Sequence, residues 1–268
     1  MMNDERIHQT LRVAALLCGI ATAGCAVHAR PLVPDRDATF NDHSLTLHFA
    51  NARAVAPRPL LVFATGDGGM HRKDLDMYRH LEALGYPIVG FDARDYVKHL
   101  GASETTTPER LADDYRGMIA AAREALHLDP ARHVVLVGVS RGAGLSVVAA
   151  GELHDVVSGV VAVALTREEE YVRWYHRLRV PARPDVMVDV EEYLPQLGEL
   201  PLAVVQSTHD KYLPGADARR LLGPDGPRRW LQVVDADNHS FAGARDQMYE
   251  ATTRAIGWIE SRTLSSNP

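Results

Sequence analysis

Cysteine is nearly absent from this chain: its 268 residues include only Cys18 and Cys25, both within the first 29. Once that segment is removed no thiol remains, which excludes disulfides, thiol catalysis and cysteine–metal sites. Long apolar runs are scarce as well: the stretch Val13 to Val27 falls short of the roughly 20 residues that a spanning helix needs, so permanent anchoring as a helix is the weaker reading. Basic charge is not in excess, since 29 Lys and Arg face 35 Asp and Glu for a net charge of −6. Losing residues 1–29 leaves that figure unchanged, because Asp4 and Glu5 depart with Arg6 and Arg12. A mildly acidic protein offers no electrostatic footprint for nucleic acid. Internal repeats and low-complexity tracts are lacking, and His71, His80, His99 and His176 show no metal-ligand spacing. No metal and no cofactor is therefore expected.

What the N-terminus does have is Arg12, the apolar segment, and Val27-His28-Ala29 ahead of Arg30. That pattern reads as a secretory signal peptide over residues 1–29, cleaved after Ala29, with the mature protein in the periplasm or the medium. A rival reading is lipoprotein processing at Cys25, where Ala23-Gly24 supply small residues but Thr22 stands where an aliphatic residue is expected. The remaining 30–268 suit a single domain with one core, and 46% hydrophobic and 24% charged residues are ordinary for a globular chain.

From Leu45 onward, short Val-, Leu- and Ile-rich runs alternate with helical spacing, the signature of βα units on a mostly parallel sheet. Strands are expected over Leu45–Phe49, Pro59–Ala64, Pro87–Phe91, His133–Val139, Val157–Leu165, Leu202–Gln206 and Trp230–Val234. Those from Pro59 onward should build the central parallel sheet. Helices are expected over Lys73–Leu84, Pro108–Leu126, Gly142–Gly151, Gly215–Leu222 and Phe241–Ser261. Thr107-Pro108-Glu109 is a good helix start, with Thr107 as the cap and Pro108 at the first helical position. Residues 167–196 break the rhythm. They are either a small cap over a pocket or a solvated excursion.

Gly138-Val139-Ser140-Arg141-Gly142 follows one apolar strand and opens a helix of small residues. A serine nucleophile needs this arrangement, because a sharp strand-to-helix turn presents its hydroxyl and flanking glycines avoid clashes. The α/β-hydrolase fold orders its triad as serine, acid and histidine along the chain. Asp210, just past Leu202–Gln206, is the candidate acid, and the alternative is a turn-initiating aspartate. His239, on the loop after the last strand, is the candidate base; it can take and return a proton near neutrality while a buried carboxylate fixes its tautomer. An oxyanion hole requires two N–H donors, assigned to Arg141 and Asp67, with Gly68 as the fallback to Asp67. A plain glycine turn is the alternative for Thr65 to Gly69.

Several of these segments resemble the bacterial VirJ/AcvB family of exported α/β hydrolases. The resemblance rests on Gly66-Asp67-Gly68-Gly69, on Gly85 to Asp92 with Tyr96, on Thr107-Pro108-Glu109 with Asp113, and on Ser140. It departs at Arg141, where the family tends to carry an aromatic, and at Gly144, where it tends to carry aspartate. The resemblance implies a periplasmic enzyme that cleaves the aminoacyl ester of lysyl- or alanyl-phosphatidylglycerol, in peripheral contact with the membrane. For such a substrate, Glu169 and Trp174 on the 167–196 segment are candidates to read the ammonium group. Arg167, Arg173, Arg177 and Arg179 are available to the phosphate. A charged helix face in water has the same spacing.

The leading expectation is thus a serine hydrolase acting on a small-molecule or lipid-headgroup ester. Two alternatives stand beside it: a binding or export-accessory module on the same fold without turnover, and a general exported esterase or peptidase.

Overall fold

A computed structural model describes residues 33–40, 43–51, 58–99, 107–170 and 187–265. The expected signal peptide, both cysteines and Trp174 lie outside the described residues, as does the Glu169 side chain. Eight strands form one sheet in the order β1-β2-β4-β3-β5-β6-β9-β10. They are β1 (Arg36–Phe40), β2 (His43–Ala50), β3 (Leu60–Ala64), β4 (Ile88–Phe91), β5 (Val134–Val139), β6 (Gly159–Val163), β9 (Leu202–Ser207) and β10 (Arg229–Val234). The six from β3 onward pair in parallel, and β1 and β2 add an antiparallel edge. β7 (Glu168–Glu170) and β8 (Met187–Asp189) form a separate antiparallel pair. Two short 3-10 turns follow it, at Val190–Tyr193 and Pro195–Leu197.

The parallel strands are apolar on both faces because helices cover both. Alternate residues point to opposite sides, and this divides the core in two. Leu60, Val62, Val134, Leu136, Val160, Leu202 and Val204 pack with α2 (Ala93–His99), α3 (Pro108–Ala125) and α4 (Arg141–Ala150). Their neighbours Leu61, Phe63, Val135, Val137, Val161, Ala203 and Val205 pack with α1 (Arg72–Ala83) and α6 (Arg245–Ser265). Each fully buried Val, Leu or Phe contributes roughly 1.5–3 kcal/mol relative to exposure, so the two faces together hold the sheet. α5 (Gly215–Leu222) closes the β9–β10 end, with Ala218 buried.

Besides the β7–β8 pair, which the sequence did not suggest, three elements differ from the expectation. β1 is a polar edge strand whose residues are mostly exposed, so it lacks apolar alternation. α2 has only seven residues, too few for a helical stripe to show. α6 starts at Arg245 rather than Phe241, because Phe241 to Ala244 make a turn with Phe241 at φ 52° and Gly243 at φ 76°. Thr107 does cap α3, its side chain accepting the Arg110 N–H at 3.3 Å. No described helix is long and apolar enough to cross a membrane.

Chain order reverses at β3, which pairs with β4 on one side and β5 on the other. The loops after β3 and β5 therefore diverge and open a crevice at the carboxyl ends of the strands.

Candidate active site

Ser140 sits in that crevice, between β5 and α4. Its backbone is held at φ 52° and ψ −114°, a conformation that costs about 1–3 kcal/mol for a residue with a side chain. The surroundings enforce it. The Ser140 N–H donates to the Val163 carbonyl at 2.8 Å, and the Gly142 N–H donates to the Thr65 carbonyl at 3.1 Å. A methyl group on Gly138 would lie 2.1 Å from the Gly142 carbonyl oxygen, and one on Gly142 would lie 2.2 Å from that of Ala64. Both flanking glycines are therefore sterically required.

His239 reaches Ser140 from the loop after β10, its Nε2 lying 2.8 Å from the Ser140 Oγ. Its Nδ1 lies 2.7 Å from the Asp210 Oδ2. A carboxylate only accepts hydrogen bonds, so Nδ1 carries the proton and Nε2 is left to accept from the serine hydroxyl. The Asp210 side chain is fully buried and that of His239 is 14% exposed. The other carboxylate oxygen of Asp210 accepts the Tyr212 N–H at 2.8 Å, so both oxygens are oriented. Three residues 29 and 99 positions apart in the chain thus form one hydrogen-bonded series.

Other residues hold this series in place, and sequence reasoning missed them. Gln206, buried at the end of β9, donates from Nε2 to the Asp210 Oδ2 at 2.9 Å and to the Leu213 carbonyl at 2.7 Å. Its signal was a polar residue inside an otherwise apolar strand. Tyr212 sets its ring edge-on to His239, with centroids 4.8 Å apart. Asn238 turns the histidine loop, its side-chain oxygen accepting the Ser240 N–H at 2.9 Å. Lys73 then ties the loop to α1 by donating to the Ser240 Oγ at 3.0 Å.

Opposite the serine, the loop after β3 is folded by carboxylates. Asp74 accepts the Gly66 N–H at 2.8 Å, and a Cβ on Gly66 would lie 3.2 Å from the Ser140 Cβ. Burial pushes the Asp74 carboxyl above the usual carboxylate range, against the pull of the Gly66 N–H and Lys73. Gly69, at φ 68°, leaves room for Asp92, whose Oδ2 accepts the Met70 N–H at 3.2 Å. Asp92 also caps α2 through the Asp95 N–H at 2.9 Å. Tyr96 on α2 donates to Asp114 at 2.6 Å. The glycine-rich loop, Asp92 and Tyr96 thus belong to one frame around the crevice. Finally, the Arg141 Nε donates to the Asp67 Oδ1 at 2.5 Å, with the arginine side chain 2% exposed and the aspartate 53%.

The crevice is a pocket of about 180 Å³. Ser140, His239, Asp67, Gly68 and Arg141 line it, together with Gly66, Lys73, Thr166, Glu168 and Tyr212. Within the segment expected as a cap, the described lining residue is Glu168. Among the described residues no group of three His, Cys, Asp or Glu side chains could hold a metal ion.

Among solved structures, Est1E from Butyrivibrio proteoclasticus superposes with a TM-score of 0.62 at 13% identity, over 85% of this chain and 99% of its own. An α/β serine hydrolase homologue from Coxiella burnetii gives 0.58 at 16% identity, over 84% and 98%. An α/β serine hydrolase from Xanthomonas campestris, described as without a lid, gives 0.56 at 17%, over 85% and 97%. At identities this low the superpositions show the fold alone, that of the α/β hydrolases. No curated protein sequence matches significantly. The family described as bacterial virulence protein (VirJ) matches residues 59–205, which is more than half of the chain and runs from β3 into β9, with Ser140 inside it. This chain belongs to the VirJ family of bacterial virulence proteins.

Proposed function

We propose that the protein is a serine hydrolase that cleaves a carboxylic ester through Ser140, His239 and Asp210. The observation that carries this is the hydrogen-bonded series of 2.8 and 2.7 Å ending on a serine with a strained backbone. His239 removes the hydroxyl proton as Oγ attacks the acyl carbon and returns it to the departing alcohol. Water then repeats the sequence on the acyl-enzyme. The N–H groups of Asp67 and Arg141 are the proposed oxyanion donors, with Gly68 as the alternative to Asp67.

The substrate proposed is an aminoacyl ester of phosphatidylglycerol, on the strength of the family and of a small pocket bearing both Glu168 and Lys73. A carboxylate and an ammonium at one pocket suit a substrate with a cationic acyl group and an anionic headgroup. The protein would meet it from the periplasm after cleavage behind Ala29, touching the membrane peripherally. Lipid attachment at Cys25 is the alternative route. Glu169 and Trp174 remain candidates for reading the ammonium group.

Incubating residues 30–268 with lysyl-, alanyl- and unmodified phosphatidylglycerol, and with short-chain soluble esters, tests this reading. Amino-acid release that is lost in Ser140→Ala supports it. Turnover of soluble esters alone makes the protein a general esterase. No turnover, together with full cellular function of Ser140→Ala, makes it a binding module.

A further inference from the structure

Arg141 and Asp67 contribute the two proposed oxyanion N–H groups, and their side chains are bonded to each other across the crevice at 2.5 Å. One residue heads α4 and the other lies on the loop after β3, so two elements meet at this pair. The loop is already anchored on either side of Asp67, at Gly66 by Asp74 and at Met70 by Asp92. The guanidinium is almost entirely buried, whereas the carboxylate is half-exposed. The arginine is thus the fixed partner and the aspartate the one drawn to it.

We infer that Arg141 is a positioning residue: its side chain clamps Asp67 and so sets the spacing between the two oxyanion donors. This rests on the hydrolase reading above. Oxyanion donors stabilise charge only where it develops in the transition state, and a misplacement of about 1 Å can cost roughly 100-fold. Loss of the clamp should therefore slow the chemical step and leave ground-state binding intact.

The test is a double-mutant cycle on hydrolysis of a short-chain p-nitrophenyl ester by residues 30–268. Arg141→Met and Asp67→Ala should each lower kcat by about 10- to 100-fold with KM changed less than about 2-fold. The double variant should be no slower than the worse single variant, and Arg141→Lys should recover part of the rate. Asp67→Ala removes the acceptor and changes a half-exposed side chain, so it keeps the test open if Arg141→Met fails to fold. Losses that multiply in the double variant, or a raised KM at unchanged kcat, overturn the clamp while leaving Ser140 as nucleophile. A wild-type protein that hydrolyses no ester and takes no fluorophosphonate label at Ser140 overturns the hydrolase reading and the clamp together.

Discussion

At the scale of single residues, Ser140, His239 and Asp210 have different expected signatures. Ser140→Ala should abolish fluorophosphonate labelling while leaving the melting temperature near that of wild type, because the hydroxyl fills no core space. His239→Ala should lower kcat by about 10,000-fold, and Asp210→Asn should do much the same by leaving the imidazole in the wrong tautomer. Single-turnover kinetics on a chromogenic ester would show this; an Asp210→Asn protein with near-normal kcat would remove the aspartate from the series. These three residues were legible in the sequence because the fold's chain order narrows the search to one loop each. Gln206 and Asp74 were not. Each is a buried polar group whose value lies in what it touches, and partners in the turn or loop alongside leave no periodic trace.

At the scale of elements, the elbow and the loop facing it are the sensitive places. Gly138→Ala would force a methyl into the Gly142 carbonyl, so soluble expression or melting temperature should fall sharply. A variant that keeps both would show that the turn can relax. The loop after β3 responds to pH through Asp74. Its folded-state carboxyl lies above the ordinary 3.8 because of burial, so the ionised form is disfavoured in the folded protein. The associated stability is full below the unfolded value and is lost as pH rises through the raised one. Asp74→Asn still offers an oxygen to the Gly66 N–H and does not titrate. Its melting temperature should therefore gain on that of wild type as pH climbs above about 4. Asp74→Ala leaves a buried N–H unpaired and should cost about 1–3 kcal/mol. Thermal melts of all three between pH 4 and 8 check this, and parallel curves for wild type and Asp74→Asn would count against the pH argument. Among the elements, the buried parallel strands were read correctly from their continuous apolar runs. β1 and α2 were not, since a polar edge strand and a seven-residue helix carry too little pattern.

At the scale of the whole molecule, the sequence conveyed the alternation of strands and helices. It could not convey the order of the strands in space, which depends on β3 taking β4 and β5 as its two neighbours. Export is the expectation that belongs to this scale. Protein recovered from the periplasm should begin at Arg30, as N-terminal sequencing would show; a blocked terminus at Cys25 would favour lipid attachment, and an intact Met1 would remove both routes.

The placement of His239 beyond β10, the final strand, also has a consequence in time. A ribosome makes Ser140 about a hundred residues before its base. The elbow can close once β3, β5 and β6 are together, yet its serine has nothing to take its proton until β10 has docked against β9 at the sheet's edge. On the hydrolase reading, the ability to turn over substrate therefore reports on docking of the last strand against β9.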